Sequence, residues 1–337
     1  MKIAMLSPIS WRTPPRQYGA WELVVSLITE GLVARGVDVT LFATGDSVTK
    51  AQLSSVIRTG YSEDKEVDPK VAECLHIANC FERAGEFDLI HNNFDFLPLS
   101  YSRLVKTPVL TTIHGFSSEK IVEVYRKYNS HVKYVSISMA NRRPDLSYVG
   151  NVYHGIAVEE FQLHEKPGEY LLFYGRLHKD KGVSEAIRVA QDSNKKLILA
   201  GIVQDQKYFR QEVEPHLNNQ IKYIGAVGPE KRGELLGNAL ALLHLINFEE
   251  PFGLSLVESM ACGTPVIAWN RGSIPELVDP YRHGAVVRSI EEAVAEVPRM
   301  ATLNRARIRQ HVVDNFSRER MVEDYIKVYE QIIKGER

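Results

Sequence analysis

The stretch "NFEEPFGLSLVESMACGTPVIAW", Asn247–Trp269, decides how the rest of the chain is read. Two acids, Glu250 and Glu258, enclose a Pro-Phe-Gly turn and the start of a helix, and everything after Glu258 reads as core. Gly253 has no Cβ, so a ligand can approach the backbone closely there. A helix beginning near Leu254 or Ser255 aims unpaired N–H groups back over the turn, an end that favours an anion and above all a phosphate. Glu258 lies about one turn into that helix. Its carboxylate can reach past the anion to hydroxyls beyond it, while Glu250 sits on the anion's other side. A ligand with a central phosphate group and hydroxyl-bearing ends fits this arrangement, which is the description of a nucleotide sugar. Taken alone, the pair also reads as a solvated loop acid and a helix acid near a favourable terminus. The residues upstream decide between the two.

Upstream stands "YGRLHKDKG", Tyr174–Gly182, directly after the strand "EYLLFYGRL". Arg176 and Lys181 fall in a strand-to-helix loop, where a guanidinium binds phosphate through two parallel hydrogen bonds and an ammonium acts as a point charge. Together they can offset the charge that develops on a departing diphosphate without a metal. No D-x-D pair occurs in the chain, so the usual sequence hint of a carboxylate-held divalent ion is missing; the expectation is no metal and no cofactor. Around this loop the sequence alternates: helix "GVSEAIRVAQDS", strands "KKLILAG" and "IKYIGAV", helix "PEKRGELLGNA", strand "LALLHLI", helix "LSLVESMAC" and strand "PVIAW". The first half alternates too. "KIAMLSP", "WELVVSLITEGLVARG" and "VDVTLFATGD" make a βαβ unit, followed by strands in "FDLIHNN", "TPVLTTIHG" and "VKYVSIS". Such alternation specifies parallel α/β sheets with ligand loops at the carboxyl ends of the strands. "VYHGIAVEEFQLHEKPGE" reads as the linker between halves, and "SRERMVEDYIKVYEQIIKG" as an amphipathic last helix. In the first half, "RQYGAWE" places Gly19 and Ala20 at a helix start and "TTIHGFSS" places His114 at a strand's carboxyl end.

The totals agree. At roughly 100–200 residues per domain, 337 residues suit two domains. A net charge of -1 points to neither nucleic acid nor an anionic membrane. The three cysteines, Cys74, Cys80 and Cys262, form no metal-like spacing and suit a reducing cytoplasm. The opening "MKIAMLSPIS" is too short an apolar run for a signal peptide, and "ALALLHLI", interrupted by His244, is far short of a membrane span. "SSEKIVEVYRKYNSHVK" interleaves its basic residues with acids, so docking on a membrane is not expected.

With these residues in place, the chain resembles the retaining glycosyltransferases of family 4. "EEPFGLSLVESMACGTPVIA" is similar to that family's E-x7-E signature, "YGRLHKDKG" to its Gly-Arg-Leu…Lys-Gly loop, "YGAWELVV" to its Gly-Gly-x-Glu helix start and "VYHGIAVEEF" to its interdomain segment. The resemblance implies a GT-B fold: two Rossmann-like doubly wound domains facing a central cleft, with the C-terminal helix crossing back to the first. It places an acceptor-binding domain at 1–160, joined by a helix at about 317–335, and a nucleotide-sugar-binding domain at 166–316. Carried over, Arg176 and Lys181 bind the donor's diphosphate, Glu258 the ribose hydroxyls and Glu250 a hydroxyl of the transferred sugar. Backbone amides around Phe252, Gly253, Leu254 and Ser255 contact sugar and phosphate, and Val227 lies beside the nucleobase. Gly19 lets the first domain close on the diphosphate, and His114 contacts the sugar near the reacting carbon. The chain departs from the family at Ala20, where a second Gly is usual, and at His154, where Asn is usual.

The activity implied is a metal-independent hexosyltransferase using a UDP-glucose or GDP-mannose type of donor and a small-molecule or glycan acceptor, with retained anomeric configuration. Two rivals stand beside it. A nicotinamide-dependent oxidoreductase requires G-x-G-x-x-G after the first strand, and "SPISWRTPPRQYGAWE" lacks that spacing. A non-catalytic sugar-nucleotide or carbohydrate-binding protein of the same fold is opposed only by the intact set Arg176, Lys181, Glu250 and Glu258.

Overall fold

The computed structural model describes residues 1–16 and 19–335. The chain divides into two compact units, Met1–Gly155 with the segment from Arg318 on, and Ile156–Ser317.

In the first unit β1 (Lys2–Leu6), β2 (Asp38–Phe42), β3 (Gln52–Ser54), β4 (Leu89–Asn92), β5 (Val109–Ile113), β6 (Lys133–Ser136) and β7 (Tyr148–Asn151) form one parallel sheet, in the order β3-β2-β1-β4-β5-β6-β7. The helices are α1 (Ala20–Ala34), α2 (Pro69–Glu82) and α3 (Val122–Tyr128). The inner strands are apolar runs buried along their length, as expected of a sheet covered on both faces. Three elements were not legible as periodic stretches. β3 is three residues at an edge, β7 is half-buried throughout, and α2 leaves Val71 and Leu75 exposed, which blurs its stripe. The start of α2 is nonetheless well signed: Pro69 opens it and the Asp68 carboxylate accepts from Val71 N.

The last helix of the chain, Arg318–Ile333, belongs to this unit. It buries Met321, Val322, Tyr325, Val328, Tyr329 and Ile332, the stripe expected from the sequence apart from a half-buried Ile326. Gly31 of α1 admits it closely, since a Cβ there would lie 2.5 Å from Val322 Cγ2. Its two tyrosines reach the sheet: Tyr329 Oη lies 2.7 Å from His91 Nδ1 of β4, and Tyr325 Oη 2.9 Å from Thr112 Oγ1 of β5.

The second unit runs β8 (Tyr170–Tyr174), α4 (Val183–Asp192), β9 (Lys196–Ala200), a single turn α5 (Gln206–Tyr208), β10 (Ile221–Tyr223), α6 (Pro229–Gly237), β11 (Ala239–His244), α7 (Leu254–Ala261), β12 (Val266–Trp269), a second single turn α8 (Ile274–Leu277), β13 (Gly284–Val287), α9 (Ile290–Met300) and α10 (Arg305–Phe316). Its sheet is parallel, in the order β10-β9-β8-β11-β12-β13. Residues 156–165 are part of this unit rather than a free linker. Arg309 on α10 donates to the carbonyls of Phe161, Ala261 and Val158, and His164 N donates to Cys262 O at 3.0 Å. Both sheets reverse direction once, between β1 and β4 in the first and between β8 and β11 in the second. In doubly wound sheets that reversal is where ligands bind, outside the carboxyl ends of the strands.

Candidate functional site

At the reversal point of the second unit, the loop after β8 meets the loop after β11. Gly182 makes the meeting possible: it has φ +76, and a Cβ there would stand 1.8 Å from the carbonyl oxygen of Leu245. Asn247 then fastens the two loops, its backbone N donating to Asp180 O at 2.8 Å and its Nδ2 to Glu185 Oε1 at 2.6 Å. From the other side, Ser273 N donates to Glu250 O at 2.9 Å. Lys181 and Glu250, 69 residues apart in sequence, are thereby brought to a 3.3 Å ion pair, with the lysine Nζ also 4.6 Å from the centre of the Phe248 ring.

Beside this pair begins α7. Gly253, with φ +99, caps it without a side chain, so the first amides of the helix have no side-chain acceptor from the cap. Leu254 and Ser255 are half-buried and Phe252 is buried, its carbonyl taken by Ser273 Oγ at 2.7 Å. One turn further in, Glu258 is 95% buried and its Oε1 lies 3.0 Å from Arg232 Nη1 of α6. Arg232 also faces Glu160 at 3.7 Å, lies 5.0 Å from the Phe161 ring, and interacts with Tyr174 at the end of β8. Burial raises the proton affinity of Glu258 and Arg232 draws it back down. Tyr174 is pushed up to about 12, by burial first and then by the Glu258 charge.

The two cations expected to act together hold different partners. Lys181 is on Glu250, whereas Arg176, half-buried in the same β8 loop, donates from Nη1 to Gln204 Oε1 at 2.5 Å. Val227 is half-buried in the loop leading into α6.

In the first unit a cleft of about 470 Å³ opens above the reversal point, lined by Ser10, Trp11, Gly19, Trp21, Glu22 and Tyr61 among others. Gly19 is the N-cap of α1 and Ala20 its exposed first residue. Tyr18, which opens the glycine motif, lies outside the described residues. Glu22 accepts from Trp11 N at 3.3 Å, and burial pushes its carboxyl up to about 7. His114 is buried at the end of β5. Its ring stacks on Trp21 at 5.3 Å, its Nε2 lies 3.0 Å from Asn93 Oδ1, and its Nδ1 lies 3.2 Å from Nε2 of His154. The amide oxygen fixes the proton on His114 Nε2, so Nδ1 accepts from His154 Nε2–H. Burial pushes His114 down to about 3 and His154 well below its ordinary value, so both are uncharged at neutral pH. A hydroxyl that bonds to the His114 ring must displace one of these neighbours.

Sequence reasoning passed over Arg232, Asn247 and His244. Arg232 sits among alternating charges in "PEKRGELLG", where nothing in the spacing singles it out. His244 did carry a signal, being the one polar residue in an otherwise apolar strand and placed at its carboxyl end.

The sequence profile described as Glycosyl transferases group 1 matches residues 157–319, the second unit almost residue for residue. The second unit is thus similar to the group 1 glycosyl transferases. Over the whole length, the chain is 22% identical to spore coat protein SA of Bacillus subtilis, with 98% of this chain and 100% of that protein covered. Solved structures share the fold from end to end. Sucrose-phosphate synthase from Thermosynechococcus elongatus superposes with a TM-score of 0.79 at 18% identity, covering 99% of this chain and all of that one. Anabaena Alr3699/HepE, in complex with UDP and glucose, gives 0.75 at 18% identity over 98% of this chain and all of that one. These likenesses cover both Rossmann-like units, the pattern known as GT-B. Among its described residues no helix is long and apolar enough to cross a membrane, and no group of three or more His, Cys, Asp or Glu is placed to hold a metal ion.

Proposed function

We propose that the chain transfers a hexose from a nucleotide-diphosphate sugar to an acceptor hydroxyl, with retention at the anomeric carbon and without a metal. The observation that carries this reading is the Lys181–Glu250 pair standing at the uncapped start of α7, on the reversal point of the second sheet. The helix start and Lys181 offer positive charge to a diphosphate, and Glu250 offers an acceptor to a sugar hydroxyl. Glu258, steadied by Arg232, keeps a second carboxylate oxygen for the ribose one turn deeper. UDP is the favoured nucleotide, since Anabaena HepE shares this fold and holds UDP and glucose.

Bond breaking at the anomeric carbon leaves negative charge on the diphosphate, which Arg176 and Lys181 offset. The departing phosphate oxygen accepts the acceptor's proton on the same face, so no carboxylate nucleophile is required. From the first unit, His114 is read as an uncharged contact to the sugar and Gly19 as room for the diphosphate.

Incubation with UDP-glucose and GDP-mannose, with and without glycan acceptors and with EDTA, tests this. The expected result is nucleoside diphosphate release that survives EDTA and an α-linked product by NMR. A chain that binds these compounds without ever releasing diphosphate is a binding protein instead. Loss of activity in EDTA, or an inverted product, removes the corresponding part of the proposal.

A further inference from the structure

A buried polar atom at the carboxyl end of β11, in the second unit, has no use in the reading above. His244, the last residue of β11, is 6% exposed, and its Nε2 has no hydrogen-bond partner. That nitrogen points toward the start of α7, where it would stand 3.6 Å from a Cβ built on Gly253, and it lies 3.9 Å from Glu250 Oε2. The same carboxylate oxygen is held by Lys181 at 3.3 Å. A buried polar nitrogen without a partner is costly, and Glu250 Oε2 is an acceptor 3.9 Å from it.

We infer that His244 is a positioning residue that takes over Glu250 when Lys181 turns to the donor's diphosphate, holding the carboxylate toward the sugar. The inference rests on the proposed function, because only a diphosphate at the start of α7 gives Lys181 a reason to leave. Two demands then fall on Glu250 at once. It loses its cation, and it must keep a fixed direction to hold a sugar hydroxyl. An imidazole 3.9 Å away answers both with a small shift, closing to hydrogen-bond distance and donating Nε2–H to Oε2. Because the ring is neutral, burial pushing it down to about 4, the exchange adds a donor without adding a second charge beside the diphosphate. Lys181 is thus free to serve the phosphate alone.

His244→Leu keeps the volume and removes the donor, while His244→Gln returns an N–H near the position of Nε2. In the full chain, His244→Leu is expected to bind UDP within about twofold of wild type, because the phosphate contacts are untouched. It should turn over UDP-glucose about 10- to 100-fold more slowly, the worth of one hydrogen bond to a charged group. His244→Gln should recover most of that loss. A structural role would instead lower UDP affinity, thermal midpoint and turnover together, with no rescue by Gln, and would overturn the inference. Should the leucine variant fail to fold, long-range 15N–1H NMR of wild type serves. The His244 Nε2 proton is expected to move downfield when UDP is added, and a resonance that UDP leaves unmoved overturns the inference as well. The two readings fail separately. A wild type that neither binds UDP nor splits UDP-glucose brings down the proposed function, whereas an active wild type with an equally active His244→Leu brings down this inference alone.

Discussion

The two units carry the same kind of sheet and differ in the polar groups they gather near its carboxyl edge. The second unit sets charge against charge, Lys181 with Glu250 and Arg232 with Glu258, on loops and helix starts around its reversal point. The first buries uncharged imidazoles. His76 bonds to Ser7 O, His91 bridges Tyr329 and Thr112, and His114 lies between Asn93 and His154. Charge pairs of this kind can open and exchange partners when an anion arrives. A network of neutral rings fixes tautomers and directions but has no charge to give up.

The sharpest way to break the contrast is Arg232→Ala. It would leave Glu258 buried beside Glu160 without its cation, at an expected cost of about 3–5 kcal/mol in chemical denaturation. The double variant Arg232→Met with Glu258→Gln should regain much of the stability while losing donor affinity. A single variant as stable as wild type would mean that the second unit does not depend on paired charges. Next in size, Arg176→Ala should lower kcat by about 10²–10³-fold, or roughly 2.7–4 kcal/mol of transition-state stabilisation. Its unfolding midpoint should hold, since Arg176 is half-exposed. Near wild-type turnover in steady-state assays removes Arg176 from the phosphate site.

The same contrast governs what the sequence revealed. The fold was legible because buried parallel strands and their helices are local patterns. Lys181 and Glu250 were legible as candidates because charged residues at a strand's carboxyl edge and before a glycine turn are unusual enough to stand out. Their mutual contact was not, since it depends on Asn247 fastening two loops and on the close pass of Gly182 under Leu245. The imidazole network was invisible for the same reason on a larger scale. His91 and its partner Tyr329 are 238 residues apart, and no periodicity joins them. His154, noted only as a departure from the family's Asn, proves to be the group that addresses His114 Nδ1. Helices α9 and α10 went unread although α9 is well capped by Ser289, whose hydroxyl accepts from Glu292 N.

Acid sharpens the contrast further. A histidine whose folded pKa is depressed contributes stability that is complete above its unfolded pKa of about 6.5 and is lost as pH falls toward the folded value. His76, held down to about 4, and His91 and His114, held down to about 3, belong to this class together with His154. Each should cost about 2 kcal/mol of stability by pH 5, at 1.36 kcal/mol per unit. Glu22 runs the other way. With its carboxyl raised to about 7, its contribution is complete below about 4.5 and is lost as pH rises through 7. Asp95 and Glu73, raised by burial as well, run the same way, and these three acids do not balance four histidines. The urea midpoint should therefore fall steadily between pH 6.5 and 4.5, and His154→Asn should make that fall shallower. A midpoint flat over this range would falsify the account of the first unit as a neutral network.

The smallest effect concerns the fastening itself. Asn247→Ala keeps the backbone bond to Asp180 O and loses the side-chain bonds, Nδ2 to Glu185 Oε1 at 2.6 Å and to Lys179 O at 3.5 Å, and Arg271 Nη1 to Oδ1 at 3.4 Å. These are exposed, so unfolding free energy should drop by about 1 kcal/mol or less. The donor KM is the more telling readout. If the meeting of the two loops prearranges Lys181 and Glu250, loosening it should raise KM for the sugar nucleotide several-fold with kcat little changed, because the pair must then be ordered at the expense of binding. An unchanged KM would show that Gly182 and the backbone bond alone hold the second unit's charges in place, and that the side chain of Asn247 serves only the surface.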